Sequence, residues 1–369
     1  MNRIFIFLSR NIYRYIIKPY LFAKPPDLAH DLMIKFACWA QKIPFMMFML
    51  KWTMKYEKSE LSQKLMGLEF KNPVGFAAGI DKNAQIGYCI AGVGFSFGSF
   101  GSITAREGLG NPKPWYHRLT QYNSLLVYAG LPNWGIDKVV FNLEKLYDNT
   151  KNFVVAASLA RTNDALAAND EEGIKDYVYS IEKCRGKIAL IEINISCPNT
   201  FKGEPFTDPE RLDKLLTATD KVTTWAPVTL KMPLDKTPEE FNQLCAVAAK
   251  HNVQALTIGN LRKSRSNLEI PTDWKGNIGG KLTEEPNNIL ISSAYKNWKN
   301  RFIIIGLGGI FTAEDAYKKI KAGASLVQIA SGLMFKGPTI VPDVKKGLMQ
   351  FLKADGFANI SQAIGADIK

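Results

Sequence analysis

The sequence predicts an α/β fold: a (β/α)8 TIM barrel carrying a small N-terminal helical extension that associates with a membrane. Three observations lead there. From about residue 70, eight short apolar runs alternate with amphipathic stretches that end in Gly or Asn. The seventh and eighth runs are each followed by a small, glycine-containing turn. The first sixty residues differ in kind, being basic and rich in aromatic and aliphatic side chains. We therefore expect residues 1–60 to form the extension and residues 61–369 the barrel.

The 369 residues, 46% hydrophobic and 22% charged, give an ordinary globular composition, which excludes a disordered chain, a collagen-like fibre and a polytopic membrane protein. Lys+Arg 47 against Asp+Glu 34 gives a net charge of +13. Residues 1–60 supply +6 of it, with ten Lys/Arg and four Asp/Glu. The five cysteines are Cys38, Cys89, Cys184, Cys197 and Cys245. The count is odd and no Cys-x-x-Cys occurs, so a disulfide framework is not expected; with three histidines no metal site is expected either. That usage points to a reducing compartment.

Residues 1–22 lack the uninterrupted apolar core of a signal peptide or a spanning helix, because Arg10, Arg14 and Lys18 break the run. Those three recur every fourth residue and so line one helical face, while Ile4, Phe5, Leu8, Ile12, Ile16 and Tyr20 fall largely elsewhere. Pro25 and Pro26 end this helix, and a second runs from near Asp27 to before Pro44. Residues 46–54 then hold four Met beside Phe45, Phe48 and Trp52. Flexible, greasy side chains on a basic segment suit a monotopic membrane patch through residues 1–55 that admits a lipophilic molecule. Nucleic acid is not expected, since the charges sit beside apolar stretches and not in a polar groove.

The eight runs are 73–78, 95–101, 153–159, 188–195, 228–232, 255–259, 302–307 and 325–330, with helical stretches such as 135–147, 172–183, 238–251 and 312–322 between them. Thr312 is an expected N-cap, followed by acidic residues and closed by Gly323. Barrels of this kind carry their sites at the strand C-termini. The residues there are Ala78, Gly79 and Lys82; Ser102; Asn194 to Thr200; Lys231; Gly259 and Asn260; Gly308 and Gly309; Ala330 and Ser331. The glycines after the last two strands form the expected phosphate corner, where backbone N–H groups approach phosphate oxygens. Two lysines at the same mouth suit an anionic cofactor or ligand. Asn194 and Asn199 can read an amide-rich ring. Cys197, in a polar loop, is a candidate base or nucleophile, whereas Cys89, Cys184 and Cys245 lie in helical stretches as packing residues. His251 is expected to be a surface or capping residue.

Together these motifs resemble the dihydroorotate dehydrogenase family, in its membrane-associated, quinone-using class. The resemblance spans nearly the whole chain: residues 26–30, 66–82, 110–114, 194–200, 305–310, 322–329 and 335–338, in that order. It implies FMN at the barrel mouth, held by Ala78, Gly79, Lys82, Ser102, Ser158, Asn194, Lys231, Gly259, Gly308, Gly309, Ala330 and Ser331. It implies dihydroorotate held by Lys82, Asn194, Asn199 and Asn260, with Cys197 taking the C5 proton while the C6 hydride goes to the flavin. It implies a quinone tunnel under the N-terminal helices with His30 and Arg118 in it, pyrimidine biosynthesis as the purpose, and a peripheral place on the cytoplasmic face of a membrane, a bacterial inner membrane being favoured over a mitochondrial one.

Several positions depart from the family pattern. Ser102 stands where Thr is common and Ser158 where Asn is common, both keeping a hydrogen-bonding group. Cys197 stands where the quinone class has Ser; a thiol titrates far below a hydroxyl and is the easier base. Val127 replaces an Asn of the substrate pocket, Leu261 a Thr, Trp115 an Arg, and Ala330 a Tyr near the quinone. A diverged FMN barrel oxidoreductase acting on a different, less polar ring is the alternative these changes favour. A non-catalytic flavin-binding or membrane-docking protein would have no need of Lys82, Asn194, Cys197 and Asn199 together.

Overall fold

The eight apolar runs become eight parallel strands closed into one barrel. The structure is a computed structural model and describes residues 2–368; Met1 and Lys369, the outer ends of the two expected segments, lie outside the described residues. In chain order the strands are β1 (Gln63–Leu65), β2 (Leu68–Phe70), β3 (Val74–Phe76), β4 (Phe97–Ile103), β5 (Tyr116–Leu119), β6 (Ser124–Val127), β7 (Val154–Leu159), β8 (Leu190–Asn194), β9 (Val228–Met232), β10 (Ala255–Ile258), β11 (Asn277–Gly280), β12 (Ile303–Leu307) and β13 (Leu326–Ile329). The barrel order is β10-β12-β13-β3-β4-β7-β8-β9. Helices cover it outside, so its strands are buried on both faces and read as continuous apolar runs.

Among the described residues, five strands lie outside the barrel. The antiparallel pair β1–β2 closes the N-terminal end. Phe70 is buried there edge-on against Phe97, with ring centroids 5.4 Å apart, over Ala156, Leu190, Ile305 and Leu326. The other three form an antiparallel sheet in the order β11-β6-β5, built entirely from loops of the opposite end. Helix boundaries follow their caps. Thr312 is the expected N-cap: its Oγ1 accepts from the Asp315 amide at 3.2 Å while the Asp315 carboxylate accepts from the Thr312 amide at 3.0 Å, a reciprocal capping box. His251 departs from expectation: its ring is buried between Asp213 at 3.1 Å and Asp220 at 2.8 Å, tying its segment to the helix Pro209–Asp220.

The extension is helical. α1 (Asn2–Ile12) passes through a π-helical turn at Tyr13–Ile17 into α2 (Lys18–Phe22); α3 (Pro26–Ala40) and α4 (Pro44–Met54) follow, each with a proline in its first turn. The π-turn coincides with Tyr13 swinging inward: its hydroxyl donates to Met334 O at 2.5 Å and its ring lies over Gly337. The basic face of the first helix turns partly toward the barrel, through an Arg10–Asp343 ion pair at 2.5 Å and Lys18 over the Phe335 ring. Apolar residues point outward instead: Ile4, Phe7, Tyr15, Ile16, Phe36, Trp39, Phe45 and Phe48 are all more than half exposed. Among the described residues no helix is long and apolar enough to cross a membrane.

Candidate active site

A single cavity of about 420 Å³ runs from the strand C-termini out between the barrel and the π-helical turn, α2 and α3 of the extension. Its size suits a small-molecule site. The expected site residues converge on it. Its floor carries Ala78, Gly79, Ser102, Asn194, Lys231, Gly308, Gly309, Ala330 and Ser331. Lys82, Cys197, Asn199 and Asn260 stand at its mouth, and His30 and Arg118 lie along the helical side. Two expected residues sit outside the lining. Ser158 is buried behind Ser102, with the two hydroxyls 2.9 Å apart. Gly259 takes φ +137, and a Cβ there would meet Leu307 O at 2.5 Å, so it lets β10 and β12 approach closely.

Strand register places the floor. Asn194 and Lys231 are partners across β8 and β9. Asn194 Nδ2 donates to Ser102 Oγ at 2.7 Å, and its Oδ1 accepts from the Ser196 amide at 3.2 Å, so its orientation is set from both ends. Asn260 Nδ2 donates to Ser196 O and Oγ while its Oδ1 accepts from the Leu261 amide at 2.9 Å. Beyond β12, Gly308 and Gly309 both take positive φ, +96 and +75, and leave backbone open to the cavity. The short helix Ser331–Lys336 starts beside them.

These residues fit a flavin mononucleotide. The glycine corner offers backbone to a phosphate, Lys231 lines the cavity with its side chain 6% exposed, and Gln328, also in the lining, has a buried Oε1 without a hydrogen-bond partner among the described residues. That orphan acceptor suits a ring N–H.

The loop bearing Cys197 is tied down on all sides. Arg161, buried just past β7, donates to Phe201 O at 2.5 Å and Gly203 O at 3.0 Å. Asn163 Oδ1 accepts from the Phe201 amide at 2.6 Å, and Asn111 Nδ2 donates to Asn199 O at 2.9 Å. Asn199 is held between Val127 O, to which it donates at 2.9 Å, and Asn277, which donates to its Oδ1 at 2.7 Å. Cys197 keeps some accessible surface because it lines the cavity, but it lies deep in the protein. Burial pushes its thiol up to about 11, while the Asn199 amide, Lys231 and Arg161 favour the thiolate and offset part of that rise.

The helical side is gentler chemistry. His30 Nε2 lies 2.9 Å from Ile80 O and 3.5 Å from Lys82 Nζ, and its Nδ1 lies 3.5 Å from Asp31 Oδ1. Burial first, and then the Lys82 ammonium, lower its pKa to about 4. Arg118 donates to Leu21 O at 3.0 Å, Phe22 O at 3.2 Å and Lys24 O at 2.7 Å, closing the C-terminal end of α2. Cys89, expected as a packing residue, also faces the cavity from the helix Gly87–Val93.

By resemblance the sequence placed Val127 at the substrate pocket, but it gave no sign of the rest of the roof over the mouth. β6 supplies Leu125 and Val127, and β11 supplies Gly279 and Gly280. Sequence reasoning also missed Tyr13, Tyr116 and Gln328. Only Gln328 left a signal, a polar residue inside an otherwise apolar strand.

Fold and site thus define a (β/α)8-barrel enzyme with one cavity shared between the strand ends and a helical cover. The family model described as dihydroorotate dehydrogenase matches residues 60–352. Among curated relatives, the dihydroorotate dehydrogenase (quinone) of Sulfurovum sp. is 33% identical over 356 residues, 96% of this chain and 98% of the relative. That of Nitratiruptor sp. is 31% identical over 353 residues, 96% and 99%. A crystal structure of the Eimeria tenella enzyme in complex with ferulenol superposes with TM-score 0.82 at 28% identity, covering 93% of this chain and 95% of the other. The chain belongs to the dihydroorotate dehydrogenase family, a family of oxidoreductases, and aligns throughout with its quinone-using members.

Proposed function

We propose that the protein oxidises dihydroorotate to orotate with FMN and delivers the electrons to a membrane quinone, serving pyrimidine biosynthesis. The observation that carries this reading is the single cavity reaching from Cys197 and Lys231 to His30 and Arg118. It joins a polar pocket for a small charged ring to a passage of largely apolar wall. Bound FMN, held by the floor residues and the glycine corner, supplies the two-electron exchange between the two ends. Lys82, Asn194, Asn199 and Asn260 orient the ring, and Lys82 also meets its carboxylate. Cys197 takes the proton from C5 as general base. The tethered loop holds the thiol in place and keeps bulk water away. At the other end, His30 and Arg118 stand beside the quinone head.

Residues 1–60 serve as the docking unit and 61–369 as the FMN barrel. The outward apolar residues, among them Phe45 at 71% exposed and Ile16 at 65%, form the face that enters a membrane surface, with the remaining basic residues meeting anionic lipid. The proposed surface is the cytoplasmic face of a bacterial inner membrane.

Val127 and Leu261, both in the cavity wall, favour a second reading: the same FMN chemistry on a less polar ring. One anaerobic experiment separates the two. Purified protein with bound FMN is expected to lose its flavin absorbance on addition of dihydroorotate. A flavin that stays oxidised, yet bleaches with dithionite, would leave the cofactor site standing and replace the substrate. The same preparation is expected to sediment with anionic vesicles; failure to do so would remove the docking assignment.

A further inference from the structure

One buried charge beneath the mouth has no part in the proposed reaction. Glu192 lies on β8 two residues before Asn194, so its side chain shares the inward face one layer deeper. It is fully buried. Ser99 Oγ from β4 donates to its Oε2 at 3.1 Å, and Thr257 Oγ1 from β10 lies 3.4 Å from the same oxygen. The other oxygen, Oε1, has no hydrogen bond among the described residues. What it faces is Lys231 Nζ, 3.9 Å away. The Lys231 ammonium in turn has no hydrogen-bond partner among the described residues, although the side chain is 6% exposed.

An isolated carboxylate in a barrel interior is strongly disfavoured, and so is an isolated ammonium. Each here is the other's nearest opposite charge. Register fixes their order along the barrel axis: Glu192 is level with Thr229, and Asn194 with Lys231. The ammonium therefore stands between the cavity above and the carboxylate below. Ser99, which also accepts from Gln328 Nε2 at 2.9 Å, pins the carboxylate from the far side.

We propose that Glu192 is a positioning residue for the cofactor's electronics: it is the counter-ion that holds Lys231 at the cavity floor and tempers the positive charge a bound flavin feels there. The inference rests on the FMN reading above. A flavin gains negative charge as electrons enter it, so the net charge beneath it tunes how readily it accepts them. With Glu192 in place the ammonium is partly neutralised. Remove the carboxylate charge and the flavin becomes the stronger oxidant.

Sulfite is a direct probe, since it adds reversibly to oxidised flavin, gives an anionic adduct and bleaches the absorbance without any substrate or quinone. The Glu192→Gln holoenzyme is expected to bind sulfite about tenfold more tightly than the unaltered protein. For a two-electron couple that corresponds to about 30 mV upward in potential. Glu192→Leu, which replaces a buried charge by an apolar group of similar volume, is expected to move affinity in the same direction and carries the test if the Gln variant does not fold. A purely structural role would lower flavin content or melting temperature without changing the sulfite affinity of the flavin retained. Unchanged or weaker sulfite binding in FMN-loaded variants would overturn the inference and leave the FMN reading intact. Failure of the unaltered protein to hold FMN at all would overturn both.

Discussion

The cavity has two walls built by different means. Its floor is held by strand register: Asn194 and Lys231 stand where the paired strands of the barrel put them, and Ser102, at an irregularity in β4, is fixed to Asn194 and Ser158 by its hydroxyl. Its helical side is held by side-chain bonds to carbonyls: Tyr13 to Met334, His30 to Ile80, and Arg118 to three carbonyls around the C-terminal end of α2. A floor residue cannot move without the barrel, whereas the helical side can shift when one hydrogen bond is lost. The division suits a floor that performs proton and electron chemistry and a cover that adapts to a lipophilic partner and to a membrane. It also implies that damage to one wall should leave the other half-reaction running.

The largest effect is expected at the floor. Cys197→Ala should lower flavin bleaching by dihydroorotate by about 10²–10⁴-fold, the usual contribution of a general base, with FMN retained. The pH dependence sharpens this. Because burial raises the thiol to about 11, only the minor thiolate fraction works near neutrality. A base must be deprotonated, so the bleaching rate should rise about tenfold per pH unit through the neutral range, with no plateau until the pH nears the raised value. A plateau near pH 7 would show that another group removes the proton.

A smaller and more selective effect is expected at the helical side. Arg118→Leu leaves the carbonyls of Leu21, Phe22 and Lys24 without their donor, each loss costing about 1–3 kcal/mol where water cannot reach. Quinone-linked turnover should fall about tenfold or more. Bleaching by dihydroorotate should stay within about twofold, because no floor contact is touched. Equal loss in both measurements would erase the division between the two walls.

The same division governs what was legible in the sequence. The eight barrel strands could be read because strands buried on both faces are continuous apolar runs, and the residues just after them could be read because barrels gather their chemistry there. The phosphate corner needed only Gly308, Gly309 and Ser331. The mouth sheet could not be read. β5, β6 and β11 are four residues each, and β11 pairs with β6 across some 150 positions of chain, so no local pattern announces it. Asn277, which braces Asn199, therefore carries no local signal of that role. Glu192 was legible in principle, since strand alternation puts it on the face of Asn194, but a charge inside an apolar run carries no sign of what it faces. Cys89 packs against Ala37 and Met47 as expected but also lines the cavity, because helical spacing separates inward from outward and not core from cavity.

The smallest expected effect lies where the two walls meet the mouth sheet. Val127 O already accepts from Asn199, and that main-chain contact survives any side-chain change. The Val127 side chain lines the cavity and offers a polar ring nothing. Val127→Asn adds an amide opposite Asn277, its partner in the β6–β11 register. A net hydrogen bond is worth about 0.5–1.5 kcal/mol, so dihydroorotate should bind about two- to tenfold more tightly, as read from the concentration dependence of anaerobic bleaching. The direction matters more than the size. Tighter binding means the ring reaches β6, the native pocket recognises dihydroorotate despite Val127, and Asn199 alone marks that edge. Weaker binding means the added amide has spoiled an apolar fit. In that case the wall formed by Val127 and Leu261 selects for a less polar ring, and the second reading of the substrate takes precedence.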